Sequence, residues 1–142
     1  MTAPPVVFLD ANVLFSATLG GPVFTSILEL TDVAAVDLVS TRTCVAETVV
    51  NLERKRPGSV GALAAVLLHV RLMDPAVNDL RPFIDDAASL VGDDDAHVLA
   101  SALTLRASVL VTGDVKDFGH LMERGELPLR VRTPRAFLIE HP

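Results

Sequence analysis

The chain has no tryptophan, no tyrosine and a single cysteine, Cys44. One cysteine excludes a disulfide within the chain and fits a reducing, cytoplasmic setting. Without tryptophan or tyrosine there is no obvious platform for stacking nucleobases. Positive charge is also scarce: 12 lysines and arginines stand against 18 aspartates and glutamates, a formal net charge of −6. That balance argues against binding nucleic acid by neutralising its backbone, so any such function must draw positive charge from elsewhere. Long apolar runs are missing as well. The densest, LAAVLLHV from Leu63 to Val70, is interrupted by His69 and falls short of the roughly 18 residues that cross a bilayer. No basic residue precedes the first apolar stretch and Asp10 cuts it short, so a signal peptide is not expected. The four histidines, His69, His97, His120 and His141, show no metal-ligand spacing.

What the chain does have is apolar mass. Half of its 142 residues are hydrophobic, enough to fill the core of one domain spanning 1–142. The runs alternate in type. VVFL (Val6–Leu9) is short and β-branched, the pattern of a buried parallel strand. Helical spacing follows the GGP turn over Val23–Leu30, and a second strand is expected near Val36–Val39. Thr41 to Arg54 reads as a helix, broken at Pro57–Gly58; Val60 to Met73 reads as another. A short helix is expected over 83–90 and a clear one from Asp94 to about Arg106. SVLVT (Ser108–Thr112) and LRVR (Leu129–Arg132) read as strands, and TPRAFLIEH closes the chain as a helix with Pro134 in its first turn. Strands alternating with helices predict an α/β fold: a parallel sheet of four or five strands, covered on both faces.

Such sheets place their sites beyond the carboxyl ends of the strands, where the strand order reverses. Asp10 directly follows the first strand. TGD ends the third strand run, putting Asp114 at the same edge of the sheet, with Asp117 three residues on. Asp95 shares a helical face with Val98, Leu99 and Ala102, whereas Asp94 points away. Glu47 lies on a polar stripe with Asn51 and Arg54, at the rim of the same cleft. Each acid has a simpler reading as a turn former, a helix cap or a solvated face. Those readings predict no common location. Carboxylates brought together cannot all stay ionised without a counter-cation, and oxygen donors alone select a hard ion, Mg²⁺ or Mn²⁺.

At this point the sequence resembles a PIN domain, and more narrowly the VapC-type toxin ribonucleases of type II toxin–antitoxin systems. The resemblance runs through VVFLDANVL, CVAETVVNL, DDAHVLASAL, VLVTGDVKDF and VRTPRAFL, in that order. It implies a single three-layer α/β/α PIN-like domain. It assigns the catalytic, metal-holding acids to Asp10, Glu47, Asp95 and Asp114, with Asp117 as an additional acidic position. Asn12 and Thr112 match the polar positions that support the site. It further implies metal-dependent cleavage of RNA with one or two Mg²⁺ or Mn²⁺ ions, an antitoxin partner and a homodimer. Arg54, Lys55, Arg56 and Lys116 are candidate phosphate contacts. The apolar Val60–Met73 stretch either packs on the sheet or offers one face to a partner.

Two rivals remain at this stage. A phosphoryl-transfer enzyme would use Asp10 as nucleophile, but such sites usually place a second aspartate two residues on, where this chain has Asn12. A non-catalytic binding module would use the acids as caps or to dock a basic peptide.

Overall fold

The computed structural model describes residues 3–141. The expected span of 1–142 therefore runs past the described residues at both ends. Five parallel strands form one sheet, β1 (Val6–Leu9), β2 (Asp37–Ser40), β3 (Arg71–Leu72), β4 (Val109–Val111) and β5 (Arg130–Arg132), in the order β3-β2-β1-β4-β5. Helices flank it in an α/β/α arrangement: α1 (Ala11–Leu19), α2 (Pro22–Asp32), α3 (Arg42–Lys55), α4 (Leu63–Leu67), α5 (Val77–Val91), α6 (Ala96–Thr104), α7 (Val115–Phe118) and α8 (Pro134–Glu140).

The sheet centre explains the unbroken apolar runs. Phe8 of β1 lies between Val39 of β2 and Leu110 of β4, and all three are fully buried. A strand covered on both faces has no polar side to alternate with. The chain lays β2 and β3 on one side of β1, then crosses back to place β4 and β5 on the other. The strand order reverses between β1 and β4, whose carboxyl ends carry Asp10 and Thr112–Gly113–Asp114.

The largest differences from the sequence reading lie in three stretches. Val60–Met73 is not one helix. A 3₁₀ segment (Pro57–Ala62) leads into the single turn and a half of α4, and the chain then extends into β3. The open edge of β2 is the cause: Val39 and Ser40 pair with Arg71 and Leu72, and Met73 N–H donates to Ser40 O at 2.9 Å. Tertiary pairing here overrides helical spacing. The stretch does pack inward through Leu63, Val66 and Val70, while Leu68 is exposed. The helix expected over 83–90 begins six residues earlier, at Val77, and continues through Pro82 to Val91. Finally, α1 enters the sequence reading only as the helix that a capping Asp10 would start, with no bounds of its own. It buries Ala11, Val13, Leu14, Ala17 and Thr18, too much of its circumference to show a stripe.

Among the described residues, no single helix is long and apolar enough to cross a membrane.

Candidate metal centre

The loop after β4 and the starts of α6 and α7 bring three carboxylates together. One oxygen from each of Asp95, Asp114 and Asp117 lies within 4.8 Å of the other two. Asp95 stands at the N-cap of α6 yet makes no side-chain capping bond, which leaves its carboxyl to its acidic neighbours. Asp114 caps α7, its Oδ1 accepting from Asp117 N–H at 3.0 Å. That bond turns the chain so that Asp117 falls beside Asp114. Asp94 is exposed and outside the group.

The electrostatics are those of crowded like charges. The Asp95 carboxyl is pushed from its ordinary value of 3.8 up to about 7. Burial is the largest cause, followed by the hydrogen bond its protonated form makes with Asp117 and by the charges of Asp114, Asp117 and Asp10. Among the described residues none of the three pairs with lysine or arginine. An all-oxygen donor set with this reach fits a hard divalent ion, whose ligands sit about 2.0–2.6 Å from it. Lys116, between Asp114 and Asp117 in sequence, is exposed.

Asp10 lies behind this group and is tied down. It is 5% exposed. Its Oδ1 accepts from Ala11 N–H at 2.7 Å, and its Oδ2 from Thr112 Oγ1 at 2.8 Å and Asn12 Nδ2 at 3.1 Å. Burial raises its pKa; the Thr112 and Ala11 hydrogen bonds oppose that, Glu47 adds to it and His97 subtracts. The buried Thr112 hydroxyl in turn accepts from Asp114 N–H at 3.1 Å, so one side chain holds Asp10 and the triad loop in fixed relation. Asn12 Oδ1 accepts from Gly113 N–H at 2.7 Å. A Cβ at Gly113 would stand 3.2 Å from that oxygen, so glycine gives the amide room to approach.

Glu47 is on the exposed side of α3 and outside the triad. Its Oε1 meets His97 Nε2 of α6 at 3.0 Å, a link between two helices that spacing alone did not reveal. Arg54, Lys55 and Arg56 lie two turns and more beyond Glu47, at the far end of α3. Lys55 Nζ sits 5.8 Å above the Phe15 ring, and Arg54 donates to Asn51. Beside the triad opens a cavity of about 760 Å³ that shares Asp114 with it, is lined also by Asn12 and Gly113, and reaches Arg135. Sequence reading passed over Arg135 although it lies within VRTPRAFL, because nothing in the sequence sets it beside Asp114.

An acidic, oxygen-only centre at the switch point of a parallel α/β/α sheet defines the class of site. A family model described as PIN domain matches residues 6–116. The chain belongs to the PIN domain family. Three solved structures share its fold. The VapBC2 proteins of Rickettsia felis, bound to a DNA fragment from their promoter, match at 15% identity and a TM-score of 0.70, over 90% of this chain and 98% of theirs. A toxin–antitoxin complex from Klebsiella pneumoniae matches at 19% identity and a TM-score of 0.65, over 90% and 97%. VapBC-1 from nontypeable Haemophilus influenzae matches at 20% and 0.65, over 92% and 98%. A search of curated protein sequences gives no significant match.

Proposed function

We propose that this PIN domain is a divalent-metal-dependent endoribonuclease, the toxin of a toxin–antitoxin pair. The observation that carries the reading is the Asp95–Asp114–Asp117 group, uncompensated by any cationic side chain among the described residues, at the switch point between β1 and β4.

Asp95, Asp114 and Asp117 would hold Mg²⁺ or Mn²⁺, with Asp10 and Glu47 completing the acidic surround. The bound metal supplies an activated water and neutralises charge on the scissile phosphate. The chain's own residues do the rest. Thr112 fixes Asp10 and the triad loop together, and Asn12 clamps the same loop through Gly113. Asp10, held by three hydrogen bonds, anchors the chain behind the triad. That role disfavours Asp10 as a nucleophile, since its two oxygens already accept three hydrogen bonds.

The solved structures with this fold are toxin–antitoxin complexes, which supports an antitoxin protein as partner of this chain. A homodimer and a cytoplasmic setting belong to the same reading; the free, buried Cys44 accords with the latter.

The test is RNA cleavage with Mg²⁺ or Mn²⁺, wild type against Asp95→Asn and Asp10→Asn, with a chelator arm. Cleavage that needs the metal and is lost in both variants is the expected result. Variants that cut as fast as wild type would end the assignment. A binding module would instead show no cleavage and no metal uptake at the triad.

A further inference from the structure

The cavity beside the triad has three walls and a mouth. Val13 and Ser16 of α1 form one side, Val23 and Phe24 at the start of α2 another, and Thr133–Arg135 at the start of α8 the third. Its floor is shared with the acidic centre through Asn12 and Asp114. At about 760 Å³ it lies within the ~300–1,000 Å³ range of small-ligand sites.

Its polar groups divide into used and unused. Asn12 is committed to Asp10, Thr112 and Gly113, and the Thr133 hydroxyl caps α8 through Ala136 N–H. Among the described residues, the Ser16 hydroxyl makes no hydrogen bond and Arg135 makes no ion pair. The contrast with its neighbours is informative, because Arg130 and Arg132 are both bound to Glu140. A cavity thus combines an aromatic wall, a free hydroxyl and a free guanidinium, and it runs into a site built to hold a metal. In a chain of net charge −6, that guanidinium supplies positive charge where an anionic strand would need it.

We infer that this cavity holds the nucleotide next to the scissile phosphate, an inference that rests on the ribonuclease reading above. Phe24 stacks on the base, Ser16 hydrogen-bonds its edge, and Arg135 takes the phosphate on the side away from the triad. A base lying against an aromatic face is stabilised whatever its identity, while a single hydroxyl at its edge adds preference. The arrangement explains how a chain without tryptophan or tyrosine handles RNA. One phenylalanine serves, half-buried in the cavity wall with Val23 beside it.

The experiment pairs two readouts. A fluorescein-labelled 2′-O-methyl hexaribonucleotide, which resists cleavage, is titrated by anisotropy in Mn²⁺. Cut sites on a randomised RNA are then sequenced. Arg135→Glu and Phe24→Leu are each expected to weaken the hexamer about tenfold, with Arg135→Lys retaining most of the affinity. Phe24→Leu keeps apolar bulk, so its thermal unfolding should match wild type. Ser16→Ala is expected to flatten base preference at one position beside the cut. Unchanged affinity in Arg135→Glu, with an unchanged cut-site pattern in Ser16→Ala, would overturn the inference while leaving the nuclease intact, and the cavity would then suit a protein segment. If wild type cuts no RNA, the ribonuclease reading fails. The hexamer still decides the cavity: tight binding lost in Arg135→Glu upholds it, and no binding refutes it.

Discussion

At the outer strand β5, Arg130 and Arg132 both reach Glu140, and near the opposite edge Arg71 of β3 pairs with Asp37 of β2. Between β1 and β4 the carboxylates of Asp95, Asp114 and Asp117 cluster with no lysine or arginine paired to them among the described residues. The same residue types are thus treated in two ways within one sheet. Peripheral charges are balanced locally, and the arginines hold the Glu140 carboxyl below its ordinary range. Central charges are left unbalanced, and Asp95 is pushed up to about 7. A fold that supplies arginines to its edges and, among the described residues, none to its centre leaves there a group that could take a cation from outside.

The largest effect should come from removing a central charge. Asp95→Asn or Asp114→Asn is expected to lower metal-dependent cleavage more than about 100-fold, beyond the ~10–100-fold range typical of outer-shell changes. In chelator the same Asp95→Asn protein should melt at the wild-type temperature or above, because like-charge repulsion falls. A peripheral residue would show neither behaviour. Loss of both activity and stability would mean that the centre is structural, and the comparison would fail.

Thr112→Val sharpens the contrast from the supporting side. It removes the hydroxyl that donates to Asp10 and accepts from Asp114 N–H. Activity should fall about 10–100-fold, and stability by about 1–3 kcal/mol, since buried polar atoms lose their partner. Here, unlike at Asp95, activity and melting temperature should drop together. Steady-state cleavage and thermal unfolding on one preparation check both.

Much of this centre was legible because it sits where strands end. Asp10 follows β1 directly and Asp114 comes three residues after the end of β4, and parallel pairing of β1 with β4 makes those strand ends neighbours. Asp95 was separable from Asp94 by helical facing. The capping reading of Asp10 was also sound, since its Oδ1 accepts from Ala11 N–H at the start of α1; Asp114, read as a strand-to-turn exit, caps α7 as well. Asp117 was legible only as an accessory, because its approach depends on the turn that Asp114 caps. What lay beyond reading depends on partners distant in sequence. The Glu47–His97 contact joins α3 to α6, and β3 exists because β2 offers an open edge. Helix α1 hid in an apolar run without a stripe, and α5 behind Pro82, whose helix-breaking tendency the packing of Ala87 and Val91 overrides.

Acidity separates the two regions next. Below its ordinary value of 3.8, Asp95 is protonated whether the chain is folded or not, and its burial costs nothing. As pH rises from there to about 7, the unfolded chain gives up a proton that the folded chain keeps, so folding stability declines. Above about 7 the full cost is present. Glu140 acts in the opposite sense: its lowered pKa adds stability above its ordinary range, which is lost as pH falls. Without metal, the melting temperature of wild type relative to Asp95→Asn should therefore fall between pH 5 and pH 8. Mn²⁺ should flatten that difference by occupying the ionised group. A difference that stays flat in chelator would place Asp95 in ordinary solvent.

The smallest effect is expected at the rim, and its smallness is the point. Glu140→Gln removes the charge that both Arg130 and Arg132 engage, yet those pairs are solvent-exposed. Such pairs contribute about 1 kcal/mol or less, a melting shift of no more than about 4 °C. Cleavage should stay within about twofold of wild type, since the charge lies at the outer strand and not between β1 and β4. Two arginines freed there would also raise local positive charge at the strand next to Arg135. A gain in RNA affinity from Glu140→Gln, if measured, would mean that the balanced edge restrains binding at the unbalanced centre, and the two regions would then be one electrostatic unit.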